Sequence, residues 1–143
     1  DEFERMMVGE YGFLLENPQP LCREFYVACV SQIVRPKVIV DYEREPFVYD
    51  AGTVRVTFDS NLRAAAPTAD IFNPDLPTYG VLPFGKTIME VKFTEFFPQF
   101  VKELLPPGAH DLSAISKYVL CYERMHHVSD TLSMLNKSEK TWY

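Results

Sequence analysis

The sequence of 143 residues has only three cysteines, no long apolar run and no excess of positive charge. Cys22, Cys29 and Cys121 form no Cys-x-x-Cys pair, which favours reduced, buried thiols over a disulfide or a metal site. No apolar run approaches the ~18 residues that a membrane-spanning helix needs, and no signal peptide is recognisable. We therefore expect a cytoplasmic protein, with membrane association through other domains or subunits left open.

The net charge of −6 argues against a nucleic-acid partner. Proteins that bind nucleic acid nonspecifically are usually basic, because their affinity comes largely from displaced phosphate counterions. If this chain binds a polyanion, its positive charge must be gathered inside a pocket rather than spread over the surface. The first residue is Asp1 rather than Met, so we also expect sequence to precede it.

The composition does predict a packed core. Hydrophobic residues make up 47% of the chain and charged residues 24%, a balance that excludes a disordered tail. The 11 phenylalanines and 8 tyrosines indicate a core rich in aromatic side chains. No repeat or domain boundary is visible, so we treat residues 1–143 as a single unit.

The apolar spacing predicts an α+β fold with an incomplete antiparallel sheet. Helices are predicted over residues 1–16, 21–34, 96–105 and 112–125, the last with Asp111 as its N-cap. Strands are predicted over residues 37–45, 53–59 and 87–94, with Pro46 ending the first. Residues 64–86 are rich in proline and are predicted to form a long loop.

Two of these strands have one apolar face and one charged face. The apolar positions are Val54, Val56 and Phe58 in one strand and Met89, Val91 and Phe93 in the other. The opposite positions are Arg55, Thr57 and Asp59, and Ile88, Glu90 and Lys92. One interpretation is a one-sided sheet whose charged face meets water. The other is a barrel whose apolar faces pack outward against helices, while its charged faces line a wet lumen that needs an anionic ligand.

The first strand is harder to interpret. Arg44 shares a side with Val38, Val40 and Tyr42, whereas Asp41 and Glu43 lie opposite. A β-bulge near Tyr42 would reconcile this order with the other strands, but the sequence does not show one. Whether Arg44 faces a site is therefore left open by the pattern.

Four segments occur in an order that resembles a known family. They are residues 35–44 (RPKVIVDYER), 54–59 (VRVTFD), 88–93 (IMEVKF) and Ser116-Lys117-Tyr118. Together they resemble the C-terminal half of the VTC domain, a polyphosphate polymerase domain of the CYTH or triphosphate-tunnel superfamily. The resemblance covers residues 35–122 most strongly.

The resemblance implies an eight-stranded tunnel, a β-barrel flanked by helices, in which the terminal phosphoryl group of ATP is transferred onto a polyphosphate chain. It implies a divalent metal, Mn²⁺ or Mg²⁺, with ATP as the substrate. By their positions in the motifs, Arg44, Arg55 and Lys117 would hold phosphate, and Lys92 is a further phosphate contact. Glu90 would ligate the metal. No residue is assigned a catalytic role with certainty.

The chain also departs from the family pattern. The acidic-and-lysine strand and the Arg-x-Arg strand of the family's first half are not found, and Ala114 stands where a second lysine is frequent. We therefore expect catalysis to need the N-terminal half of the domain, from an upstream segment, a separate chain or a symmetry mate. A tunnel triphosphatase and a non-catalytic polyanion-binding module remain alternatives. The site residues themselves have simpler interpretations: surface ion pairs for the arginines, a structural lysine pair for Glu90, and a solvated helix position for Lys117.

Overall fold

The structure is a computed structural model that describes residues 1–68, 70–105 and 114–138, with side chains described as far as residue 133. The chain divides into two compact units. The first contains Asp1–Ile39 and Ala65–Pro77, and the second contains Val40–Ala64 and Thr78–Tyr143. The candidate site lies entirely within the second unit.

The first unit contains two helices, α1 at Glu2–Val8 and α2 at Pro20–Ser31, with a 3₁₀ turn at Gly12–Leu15 between them. The single helix predicted over residues 1–16 is wrong, because Gly9 takes a left-handed conformation and ends α1. A small core forms around Tyr11, Leu14 and Cys29.

The second unit is built on a four-stranded sheet: β1 at Ile39–Tyr49, β2 at Val54–Ala65, β3 at Tyr79–Gly80 and β4 at Ile88–Lys92. The 12-residue strand β2 pairs with all three others. Strands β3 and β4 both pair with it antiparallel, at different points along its length. The described strands form an open sheet, so an antiparallel α+β fold is confirmed, while closure into a tunnel barrel stays a prediction.

Two strands are longer than the sequence predicts. β1 continues through Pro46 to Tyr49, because β1 pairs only with β2 among the described strands, and an edge strand tolerates a residue without an N–H group. β2 continues to Ala65, and the short β3 lies within the predicted loop.

Two helices complete this unit, α3 at Gln99–Leu104 and α4 at Lys117–Ser138. Helix α4 begins later than predicted, because the Ser116 hydroxyl accepts the backbone N–H of Val119 at 3.3 Å and acts as the cap. The predicted cap Asp111 lies outside the described residues. In the described part of the chain, no helix is both long and apolar enough to cross a membrane.

The apolar faces of β2 and β4 form the core of the second unit, as the sequence predicts. Val54 and Val56 are buried against Val101 of α3. Partly buried side chains surround them: Phe58, Met89, Val91, Phe97 and Leu105. Burial of this face leaves the opposite face of the sheet, with its charged side chains, to form the candidate site.

The β1–β2 connection depends on Gly52, which has a φ of 78°. A Cβ atom at this position would lie 2.8 Å from the carbonyl oxygen of Phe96. We predict that Gly52→Ala lowers the free energy of unfolding by about 2 kcal/mol, because it combines backbone strain with a steric clash. Gly80→Ala is the matched control, since a Cβ there meets nothing within 4 Å. Urea unfolding checks both, and equal midpoints for the two variants would contradict the prediction.

Candidate functional site

The pairing of β2 with β4 brings three predicted site residues together. In this register Arg55 lies opposite Lys92, and Thr57 lies opposite Glu90. Directly opposed residues of an antiparallel pair point to the same side of the sheet. Arg55, Glu90 and Lys92 therefore share one face and are not dispersed over the outer surface.

A buried carboxylate to which the sequence assigned no phosphate or metal role lies at the centre of this face. The Asp59 side chain is fully buried, and both its oxygens accept hydrogen bonds from Arg44: Nε to Oδ1 at 2.7 Å and Nη2 to Oδ2 at 2.8 Å. The Lys117 ammonium lies 2.7 Å from Oδ2. Asp59 thus joins β1, β2 and the start of α4.

Glu90 lies beside this group and is paired with lysine. Its Oε1 is 2.7 Å from the Nζ of Lys92, while its Oε2 is 3.9 Å from Arg44 Nη2 and 4.0 Å from Lys117 Nζ. The simpler interpretation of Glu90, as a structural partner of a lysine, therefore describes the geometry seen. We call Arg44, Asp59, Glu90, Lys92 and Lys117 the Asp59 cluster. Its three cations and two carboxylates leave one net positive charge.

The position of Arg44, which the pattern left open, is settled by its contacts. The guanidinium of Arg44 and the ammonium of Lys117 each lie 5.2 Å from the centre of the Tyr42 ring. Tyr42 and Arg44 therefore face the cluster together. An irregularity in the alternation is seen in β2, where Asn61 has a φ of 52° and the buried positions shift from Asp59 to Leu62 and Ala64.

The cations of the Asp59 cluster shift the ionisation of its carboxyl groups. The Arg44 hydrogen bonds, and then the Lys117 contact, lower the pKa of Asp59 to about 2, against the opposing effect of its burial. Hydrogen bonding from Lys92 lowers the pKa of Glu90. The hydrogen bond to Asp59 raises the pKa of Arg44. Asp59, Glu90 and Arg44 are therefore all charged at neutral pH.

An open cavity of about 420 Å³ adjoins the Lys92 side of the cluster. Its lining consists of Val48, Asp50, Thr53, Val54, Arg55 and Lys92. Arg55 is exposed and forms no ion pair within the described residues, and the Lys92 side chain is 58% exposed. These two cations are thus open to an anion from solvent.

The described residues do not by themselves form a metal site. No group of three or more histidine, cysteine, aspartate or glutamate side chains suited to a metal occurs among them. Both oxygens of Asp59 are held by cations, whereas Oε2 of Glu90 has no cation closer than 3.9 Å. Glu90 therefore fits as one ligand of a metal whose other ligands come from a bound phosphate or water.

One buried polar atom of this face lacks a partner among the residues that the structure describes. The Thr57 hydroxyl is buried and makes no hydrogen bond to any of them. Because an unpaired buried hydroxyl is costly, we predict that Thr57→Val raises the free energy of unfolding by about 1 kcal/mol. Thr87→Val, at an exposed position, is the control and should have little effect. A destabilised Thr57→Val variant in thermal unfolding would show that the hydroxyl is satisfied in solution.

The Asp59 ion pairs make stability depend on acid pH. The pKa of Asp59 is lowered from 3.8 to about 2. The contribution of Asp59 to the free energy of unfolding is therefore complete above pH ~4 and is lost as the pH falls through about 2. Solvent screening at the partly exposed cations limits this contribution to on the order of 1 kcal/mol. Carbon NMR of the Asp59 carboxyl should give a midpoint near 2. A midpoint at the ordinary aspartate value would show that these ion pairs do not persist in solution.

The comparisons with known proteins agree with the resemblance found in the sequence. The family model of the VTC domain matches residues 3–126, a range that includes the whole Asp59 cluster and Arg55. No curated protein and no solved structure shows a significant match. Because the match covers most of the chain, the chain belongs to the VTC domain family.

Proposed function

We propose that this chain is part of a polyphosphate polymerase and binds the phosphates of ATP and of a growing polyphosphate chain. The VTC domain family is linked to polyphosphate synthesis, which supports this class of activity. Membership of the CYTH superfamily and a closed tunnel belong to the same proposal. The remaining tunnel strands would come from the N-terminal half of the domain. A cytoplasmic setting is also part of the proposal, and the three free cysteines favour it.

The observation that carries the proposal is the pair of accessible cations beside the cavity. Arg55 and Lys92 lie opposite each other on β2 and β4, and both line it. An arginine fork matches two phosphate oxygens, and a lysine supplies a movable point charge. At ~4 Å and an effective dielectric constant near 20, each cation–phosphate pair attracts by about 4 kcal/mol before desolvation. Two such contacts on one phosphate chain would be expected to give measurable binding.

Arg44 and Lys117 extend this surface along the same face of the sheet. Both side chains contact Asp59. Each also has further N–H groups that do not donate to Asp59. Phosphoryl transfer requires in-line positioning and charge neutralisation more than covalent chemistry by the protein. Two cations held by Asp59 and two that are more exposed, Arg55 and Lys92, would supply such charge neutralisation.

Glu90 is the proposed ligand of a divalent metal, Mn²⁺ or Mg²⁺. Such an ion would neutralise charge on the phosphate oxygens. Glu90 offers one carboxylate oxygen without a close cation, and its lowered pKa keeps it ionised at neutral pH. With the metal's other ligands supplied by phosphate and water, a single protein carboxylate is sufficient.

The proposal predicts that Arg55→Ala and Lys92→Ala each weaken tripolyphosphate binding by about tenfold, because each removes one phosphate contact. Isothermal titration calorimetry of this chain measures the affinity. Lys102→Ala is the matched control: Lys102 is exposed on α3, which packs against the opposite face of the sheet.

An equal loss of affinity in all three variants would indicate attraction by overall charge and would contradict a defined site. The reaction itself is tested with ATP and Mn²⁺ after the N-terminal half of the domain is added. Growth of a phosphate chain supports the polymerase, and release of phosphate alone would assign a hydrolase instead.

A further inference from the structure

We infer that Asp59 is a positioning residue of the phosphate site: it holds Arg44 by one edge so that the other edge is presented to the ligand. The inference rests on the proposed function and adds a residue that the family resemblance did not assign. It follows from the geometry of the guanidinium group.

A guanidinium has two edges that can each bind an anion through two parallel hydrogen bonds. One edge consists of Nε and one Nη, and the other consists of the two Nη atoms. Asp59 occupies the first edge of Arg44, through Nε at 2.7 Å and Nη2 at 2.8 Å. Within the described residues Nη1 donates no hydrogen bond, and Glu90 Oε2 lies 3.9 Å from Nη2, beyond hydrogen-bond distance. The Arg44 side chain is 34% exposed. The end edge is therefore the one left for a phosphate.

Asp59 also fixes the neighbouring cation. Lys117 Nζ is 2.7 Å from Asp59 Oδ2, and its side chain is only 19% exposed. Two flexible side chains from different elements are thus ordered around one carboxylate before any ligand arrives. Preorganised contacts of this kind raise affinity, since binding does not have to order them.

The alternative role for Asp59 is a stand-in anion that the phosphate must displace, but the burial of Asp59 argues against this. The carboxylate is fully buried, and both oxygens are engaged by cations. Removing Arg44 from it would leave a buried charge with a lost partner, which is strongly unfavourable. The ion pair is therefore expected to persist when the ligand is bound.

The two roles predict opposite effects of Asp59→Asn on tripolyphosphate affinity. The variant adds one positive charge to the cluster, so a displaced stand-in anion predicts tighter binding. The positioning role predicts binding weaker by about tenfold, since a neutral amide holds neither cation as firmly. Asp41→Asn is the matched control: it makes the same chemical change at a carboxylate that is 45% exposed and pairs with Arg63 at 2.8 Å. Its affinity should change by less than about twofold.

A second measurement uses the unmodified chain and does not depend on whether Asp59→Asn folds. The Nε–H resonance of Arg44, identified by its loss in Arg44→Lys, should be protected from exchange with and without tripolyphosphate. Loss of this protection on adding tripolyphosphate would overturn the inference, as would tighter or unchanged binding by a folded Asp59→Asn variant. If tripolyphosphate binds neither to the unmodified chain nor to the chain with the N-terminal half of the domain added, the proposed function fails and this inference fails with it.

Discussion

The ion pair of Asp59 with Arg44 and Lys117 is the interaction on which the second unit's site depends. A fully buried carboxylate is tolerated only when its charge is compensated, and here the compensation comes from two elements other than β2. Lys117 is the first residue of α4, where a positive charge opposes the helix dipole. Contact with Asp59 offsets that unfavourable placement. The same contact therefore ties the start of the helix to the centre of the sheet.

Counting cations overstates how strongly this face attracts an anion. Of the four basic side chains on it or beside it, Arg44 and Lys117 are compensated by Asp59, and Lys92 is paired with Glu90. Arg55 alone among the predicted phosphate ligands forms no ion pair within the described residues. In a chain with a net charge of −6, the uncompensated cation of this face is thus Arg55, which lines the cavity.

Alternation along β2 and β4 was enough to predict which face would pack against a helix to form the apolar core, because the apolar residues of both strands alternate regularly over the paired segment. The extension of β1 through Pro46 was not predictable, since it depends on that strand lying at an edge. The change in the buried positions at Asn61 and the role of Ser116 as a helix cap were not predictable either. Both depend on local conformations that several residue types adopt. Asp59 was placed on the charged face, but its partners are 15 and 58 residues away, beyond the reach of any local pattern.

An ion pair and a phosphate contact are not exclusive roles for the same cation. Lys92 is mostly exposed, and exposed pairs contribute about 0–1 kcal/mol, so exchanging Glu90 for a phosphate oxygen costs little. Arg44 faces a fully buried carboxylate, for which breaking the pair is far more costly. In the proposed function, the exchange at Lys92 would also release Glu90, the carboxylate of the Asp59 cluster that is better suited to a metal ligand. Under that proposal, the difference in burial between Asp59 and Glu90 would separate a permanent support from an exchangeable ligand within one cluster.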